Sequence, residues 1–132
     1  MEFVGVTRTL TAEKMARYSG AGNIHSDEAA ARSLGLGGTI AQGGQLIGYL
    51  NEMMLRALGR GFIEGGEISV TFIKSAKAGD TVVTRGEVKA QSVVDGRTRV
   101  ECEVWLENQH GEKLTVGTAA GFLEDGSAQT RA

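Results

Sequence analysis

The sequence lacks proline entirely and contains a single cysteine, Cys102, among its 132 residues. One cysteine excludes an internal disulfide and supplies too few thiolates for a cysteine zinc site. No run of about eighteen apolar residues is present, as a membrane-spanning helix would require. The opening MEFVGVTRTL shows neither the basic leader nor the apolar core of a secretory signal. We therefore expect a cytoplasmic protein with no membrane partner.

An excess of charge of one sign is also absent. Acidic and basic residues number 16 and 14, for a formal charge of −2. The basic residues are scattered and do not alternate with aromatic residues, so nucleic acid is not an expected partner. The length predicts one domain over residues 1–132, with a frayed tail over residues 125–132.

Glycine is abundant, with 20 residues, and in the absence of proline it must provide the sharp turns. Turn signals at Ala78-Gly79-Asp80, Asp95-Gly96 and His110-Gly111 separate segments with the period of two that is typical of strands. These predicted strands are EISVTFIKSA, DTVVTRGEVKAQSVVD, RTRVECEVWLEN and KLTVGTAAGFLE, preceded by a first strand over Phe3 to Leu10. In the third of the four, a single apolar face carries Val100, Cys102, Val104 and Leu106, which predicts a core thiol for Cys102.

Three helices are predicted between the first strand and the later ones. Thr11 is a candidate N-cap for AEKMARYSG, and Ser26 for DEAAARSLG. The segment from Gln45 to Leu58 has apolar residues around most of its circumference, which predicts a long buried helix. Together these elements predict an α+β fold in which an antiparallel sheet wraps around one central helix.

The chemistry is expected between Tyr18 and Leu50, where an Asn-x-His loop precedes a glycine-rich start of the long helix. The first turn of a helix leaves backbone N–H groups without partners, and such groups can hold a developing oxyanion. Gly43 and Gly44 would let a carbonyl approach these amides, and His25 titrates near neutral pH. The alternative is that the glycines only permit close packing and that His25 is an ordinary loop residue.

The same segment resembles the MaoC-like hot-dog family, which includes the (R)-specific enoyl-CoA hydratases. Ser19-Gly20 and Asn23-Ile24-His25 are similar to the family pattern SGDxNPxH, and Ile40-Ala41-Gln42-Gly43 is similar to IAHG. GEISVTFIKSAKAGDTV is similar to the strand and Gly-Asp turn that follow in the family. The resemblance implies a hot-dog fold and a hydratase or dehydratase acting on an enoyl or 3-hydroxyacyl thioester.

The resemblance also implies site residues. His25 corresponds to the histidine that moves protons, and Gly43 to the glycine whose amide polarises the thioester carbonyl. The usual catalytic aspartate is missing, since Gly20 or Ala21 stands in its place, and Gln42 replaces a histidine. The substrate-binding residues implied are Asn23, Gln42, Gly44 and Asn51.

The missing aspartate leaves three explanations open: another carboxylate reaches the site, His25 acts alone on an acidified substrate, or the protein binds thioesters without turnover. Asp27 or Glu28 could supply the carboxylate, although first-turn acids ordinarily stabilise a helix. Glu52 could align water for thioester hydrolysis, as in some hot-dog thioesterases, although Arg56 stands four residues on and favours a helical ion pair. The chain could also be a catalytically reduced subunit that binds acyl thioesters and needs an active partner.

The expected partners are an acyl-CoA or acyl carrier protein thioester and, by the resemblance, other subunits in a homodimer or a dimer of dimers. No metal or redox cofactor is expected, with CoA present only as part of the substrate. Two distant histidines and one cysteine offer no ligand cluster, and Gly35 to Gly38 lacks the strand that a dinucleotide motif requires. His110 is expected to face solvent at its hairpin.

Overall fold

The computed structural model describes residues 1–19 and 39–123. Within this part of the chain there are five strands and three helices. In chain order they are β1 (Glu2–Thr9), α1 (Ala12–Ser19), α2 (Gly43–Leu58), α3 (Arg60–Ile63), β2 (Glu67–Phe72), β3 (Thr81–Val94), β4 (Arg97–Glu107) and β5 (Lys113–Phe122). The predicted helix DEAAARSLG and the predicted frayed tail lie outside the described residues.

The strands form one antiparallel sheet in the order β1-β3-β4-β5-β2, which leaves β1 and β2 at its edges. Asp95 and Gly96 connect β3 to β4 with φ angles of 51° and 78°. Two successive positive φ angles are those of the tight hairpin turn that Asp-Gly favours. The predicted hairpin is therefore confirmed.

The core lies between the sheet and α2. The inward side chains of β4 are the predicted ones, Val100, Cys102, Val104 and Leu106, each at most 4% exposed. They pack in one cluster with the buried residues of the helix, of which Leu46, Leu50, Met53, Met54 and Leu58 are apolar. This confirms the sheet around a central helix.

α2 is less completely buried than the distribution of apolar residues around it predicts. Gly48, Arg56 and Ala57 are exposed, and the side chain of Leu55 is 40% exposed. The sheet can cover only one broad side of a helix, so this opposite face has no cover within the described chain.

A bulge in β1 lets α2 approach the sheet closely. The pairing of β1 with β3 shifts register between Val4 and Thr7. A Cβ at Gly5 would lie 2.3 Å from Met53 Cγ, so only glycine fits beneath the helix at this point. The bulge frees the amide of Val6, which donates to the buried Thr84 Oγ1 at 2.8 Å.

Two element boundaries test the sequence predictions. Lys14 N–H donates to Thr11 Oγ1 at 3.1 Å, so the predicted N-cap of α1 is confirmed. The predicted strand EISVTFIKSA is too long, because β2 ends at Phe72. The amides of Ile73 and Lys74 both donate to the carbonyl of Leu114, at 2.8 and 3.2 Å, which turns the chain out of the ladder.

None of the helices in the described part of the chain is long and apolar enough to cross a membrane.

Candidate active site

The start of α2 is held in place by a short extended segment. The amide of Ala41 donates to the carbonyl of Ala76 at 2.7 Å, and the amide of Ala78 donates to that of Thr39 at 3.2 Å. Ile40 and Lys77 are paired across this bridge. Because residues 39–41 are tied to the chain that leads into β3, the helix start has a fixed position against the body of the fold.

Two backbone amides at this helix start are available to a ligand. The amides of Gln45 and Leu46 donate to the carbonyl of Gln42 at 3.0 and 3.4 Å. Those of Gly43 and Gly44 have no acceptor among the described residues. They therefore present two unpaired donors at the positive end of a 16-residue helix. Such an arrangement can stabilise negative charge on a carbonyl oxygen.

An aromatic ring lies directly beside Gly43. A Cβ at Gly43 would be 2.7 Å from Phe72 Cζ, so the ring occupies the space that a side chain would fill. Phe72 is 47% exposed and ends the edge strand β2. With Leu46 and Ile73 it lines a cavity of about 350 Å³ at the helix start. The site thus combines amide donors with an apolar wall, the usual composition of a small-molecule site.

Gln42 ties the helix start to α1. It is the N-cap residue, with an extended backbone (φ −70°, ψ 141°), and its side chain does not cap the helix. Its Oε1 instead accepts a hydrogen bond from Ser19 Oγ at 2.8 Å. The resemblance implies that Gln42 binds substrate. In the described structure its side-chain amide oxygen accepts the hydrogen bond from Ser19 and so positions the helix start against α1.

Glu52, the alternative catalytic acid, is held by two arginines. Its Oε2 lies 2.6 Å from the guanidinium of Arg8 and 2.8 Å from that of Arg56. The ion pair expected from the spacing of Glu52 and Arg56 is therefore present, and a second partner arrives from β1. Two guanidiniums on one oxygen tie this carboxylate to β1 and to the next turn of α2.

Asn51 lies seven residues after Gly44, two turns along α2. It is half-buried, and Gly44 and Gly48 on the same side of the helix are exposed. A Cβ at Gly48 would meet no atom within 4 Å. The side of the helix that continues from the free amides is therefore open in the described chain.

Three of the predicted site residues, Asn23, His25 and Asp27, lie outside the described residues. The described structure accordingly shows the helix start at which carbonyl binding is predicted, but not the residues to which proton transfer is assigned. It also shows two residues to which the sequence reasoning gave no role, Phe72 and Ser19. Alternation with Ile68 and Val70 puts Phe72 on the helix-facing side of β2, but nothing in the sequence indicates that it meets Gly43.

Cys102 and His110 lie where the sequence predicted them. Cys102 is 4% exposed, which confirms its predicted place in the core, and burial raises the pKa of its thiol. His110 is exposed in the turn between β4 and β5. Within residues 1–19 and 39–123, no three His, Cys, Asp or Glu side chains are grouped so that they could hold a metal ion.

Comparison with solved structures identifies similar folds. An (R)-hydratase from A. caviae involved in PHA biosynthesis has 19% identity and a TM-score of 0.74, over 94% of this chain and 95% of that one. A MaoC-like dehydratase from Rhodospirillum rubrum has 22% identity and a TM-score of 0.74, over 94% and 92%. The truncated HadBC complex, a 3R-hydroxyacyl-ACP dehydratase from Mycobacterium tuberculosis, has 19% identity and a TM-score of 0.67, over 92% and 94%.

These likenesses establish the hot-dog fold. No curated protein sequence matches the chain. The sequence profile of the MaoC-like domain matches residues 3–109, most of the chain and all of α2. The chain therefore belongs to the MaoC-like dehydratase domain family.

Proposed function

We propose that this protein hydrates enoyl thioesters, or dehydrates 3-hydroxyacyl thioesters, with the thioester oxygen bound by the amide of Gly43. The observation that carries the proposal is the pair of unpaired amides, Gly43 and Gly44, that opens beside an apolar cavity. Membership of the MaoC-like family supports the reaction class.

The reaction balances without a redox agent or a metal. A water oxygen forms a bond to the β carbon of the enoyl thioester, and the water proton passes to a base. The electron pair of the double bond moves onto the thioester oxygen as an enolate, which the amide of Gly43 stabilises by hydrogen bonding. The α carbon then takes up a proton, and the enolate returns to a thioester.

His25 is the proposed proton carrier, and Asp27 is the proposed source of a carboxylate in place of the family's aspartate. Removal of a general acid or base costs roughly 10²- to 10⁴-fold in rate. His25→Ala should therefore lower kcat by about two to four orders of magnitude, with an unchanged melting temperature. Unchanged turnover would remove His25 from the mechanism.

The reaction class is tested with crotonyl-CoA and a longer enoyl-CoA, by following the loss of conjugated-thioester absorbance and the release of free thiol in parallel. We expect absorbance loss without thiol. Thiol release that Glu52→Gln abolishes would instead establish the hydrolase alternative. If the ligand binds but neither the absorbance nor the free thiol changes, the chain would be a catalytically reduced subunit that needs an active partner.

We also propose that the chain acts as a dimer or with a related subunit. Among the described strands, β2 pairs only with β5, so its other edge is free. Exposed apolar side chains adjoin that edge, including Phe72 and Ile73, at 47% and 54%. A free edge beside exposed apolar residues favours association. Sedimentation equilibrium should give a mass of at least twice 13.9 kDa, and a monomer at every concentration would contradict the proposal.

A further inference from the structure

Phe72 differs from the other helix-facing residues of its strand. Ile68 and Val70, on the same side of β2, pack against the buried core, whereas Phe72 does not join that cluster within the described residues. Phe72 is 47% exposed. A large aromatic ring ordinarily stabilises a fold through its burial. A half-exposed ring that meets the start of α2 therefore contributes to the surface of the site rather than to the core.

The backbone of Phe72 has a fixed position although β2 is an edge strand. Phe72 pairs with Thr115 in the ladder between β2 and β5, and the amides of Ile73 and Lys74 both donate to the carbonyl of Leu114. Thr115 lies opposite Phe72 on the same face of the sheet and is fully buried. The ring therefore starts from a fixed point, and its free direction of displacement is toward solvent.

The tip of the ring meets the residue whose amide is the proposed oxyanion donor. Cζ, Cε2 and Cε1 of Phe72 would lie 2.7, 3.0 and 3.3 Å from a Cβ at Gly43. That Cβ and the amide nitrogen are both attached to the Cα of Gly43, so a group that binds the amide comes within reach of the ring. The ring thus forms a wall beside the point at which a carbonyl oxygen would be held.

The wall continues as apolar surface. The cavity of about 350 Å³ at the helix start is also lined by Ala41, Leu46 and Ile73. Of the two groups attached to the carbonyl carbon of a thioester, the acyl chain is apolar, whereas the pantetheine arm on the sulfur carries amides. The acyl carbons are therefore the part of the ligand that matches this lining.

We propose that Phe72 is a specificity-determining residue that favours acyl groups without a branch at the α carbon. The inference rests on the proposed function, since it takes the thioester oxygen to lie at the amide of Gly43. The α carbon is bonded directly to the carbonyl carbon, so it is the acyl carbon nearest to that amide and to the tip of the ring. A branch at the α carbon would need the space that the ring fills and would displace the ring into solvent.

The test measures affinity by isothermal titration calorimetry with saturated thioesters, which cannot be hydrated. Three ligands are compared: propionyl-CoA, isobutyryl-CoA, which adds a methyl group at the α carbon, and butyryl-CoA, which adds it at the next carbon. Each is titrated into wild type and into Phe72→Leu, which lacks the ring atoms that meet Gly43. Phe3→Leu is the matched control, because Phe3 lies on the other edge strand, β1, and its ring also packs against a glycine, Gly86.

Wild type should bind isobutyryl-CoA about tenfold more weakly than its isomer butyryl-CoA, at the low end of the effect of one carbon in an apolar pocket, since the ring can yield. Phe72→Leu should bring the two affinities together, and Phe3→Leu should keep them apart. Because Phe72 lies outside the core cluster, Phe72→Leu should melt close to wild type. Equal affinities for the two isomers in wild type, a difference that survives in Phe72→Leu, or no binding of any of the three ligands would overturn the inference.

Hydration of crotonyl-CoA by wild type, measured in parallel, separates this inference from the proposed reaction. Selectivity that Phe72→Leu abolishes, together with no hydration, would refute the proposed reaction alone. Hydration together with a penalty for isobutyryl-CoA that persists in Phe72→Leu would refute this inference alone.

Discussion

Replacing Gly43 with proline removes one proposed oxyanion donor while keeping the helix start. Proline has no N–H, and its fixed φ suits the first position of a helix. Gly43 occupies that position without a positive φ, and Gln42 before it has the extended backbone that a following proline requires. The backbone should therefore accept the substitution.

Gly43→Ala is the necessary control, because it adds a Cβ and keeps the N–H. In both variants the added atoms meet the ring of Phe72, whose Cζ would lie 2.7 Å from the Cβ. The ring is 47% exposed at the end of an edge strand and has room to move. Both variants share the added Cβ, so the difference between them reports the replacement of the N–H by the Cδ of the proline ring.

Removal of one oxyanion donor costs about 10²- to 10³-fold in kcat, or about 2.7–4 kcal/mol of transition-state stabilisation. Gly43→Pro should show this loss relative to Gly43→Ala in the hydration of crotonyl-CoA. Gly43→Ala should differ from wild type chiefly in KM. Thermal melts establish that both variants are folded. Equal kcat values for the two would refute the role of the Gly43 amide.

Three further predictions concern stability and reactivity. Gly48→Ala should stabilise the protein by about 0.5–1 kcal/mol, as measured by urea denaturation. Glycine is a poor helix former, and a Cβ at this position meets nothing within 4 Å. A loss of stability would show that another molecule packs closely on this face. Thr84→Val should destabilise by roughly 1–3 kcal/mol, because the amide of Val6 would lose its buried acceptor, and an unchanged denaturation midpoint would contradict this. Cys102 should react with iodoacetamide at pH 8 far more slowly in the native protein than in urea, because burial raises its pKa and denies access; equal rates would contradict its place in the core.

The strands were predictable because their signals are local. Alternation of Val100, Cys102, Val104 and Leu106 depends only on the period of two of a pleated strand. The Asp95-Gly96 turn follows from the tolerance of these residues for positive φ. The end of β2 was not predictable, since it depends on the carbonyl of Leu114, more than forty residues away, accepting two successive amides.

The geometry of the helix start was predicted in part. Helix geometry alone indicates that the first amides of α2 lack partners, and two glycines at that point make them accessible. The contact of Phe72 with Gly43 could not be read from the sequence, because it depends on where the edge strand passes the helix. The two arginines on Glu52 illustrate the same limit: the spacing predicts Arg56, whereas Arg8 reaches Glu52 only through the packing of β1 on α2.

The sequence by itself determined the antiparallel strands and their inward faces, the N-cap of α1, the long central helix and, through its motifs, the family. These features depend on residues close together in the chain, where backbone geometry and side-chain type decide the outcome. Within residues 1–19 and 39–123, only the tertiary structure decided which face of α2 is left open and that Phe72 lies against Gly43. Each of these depends on contacts between distant segments, whose geometry is set when the sheet closes over the helix.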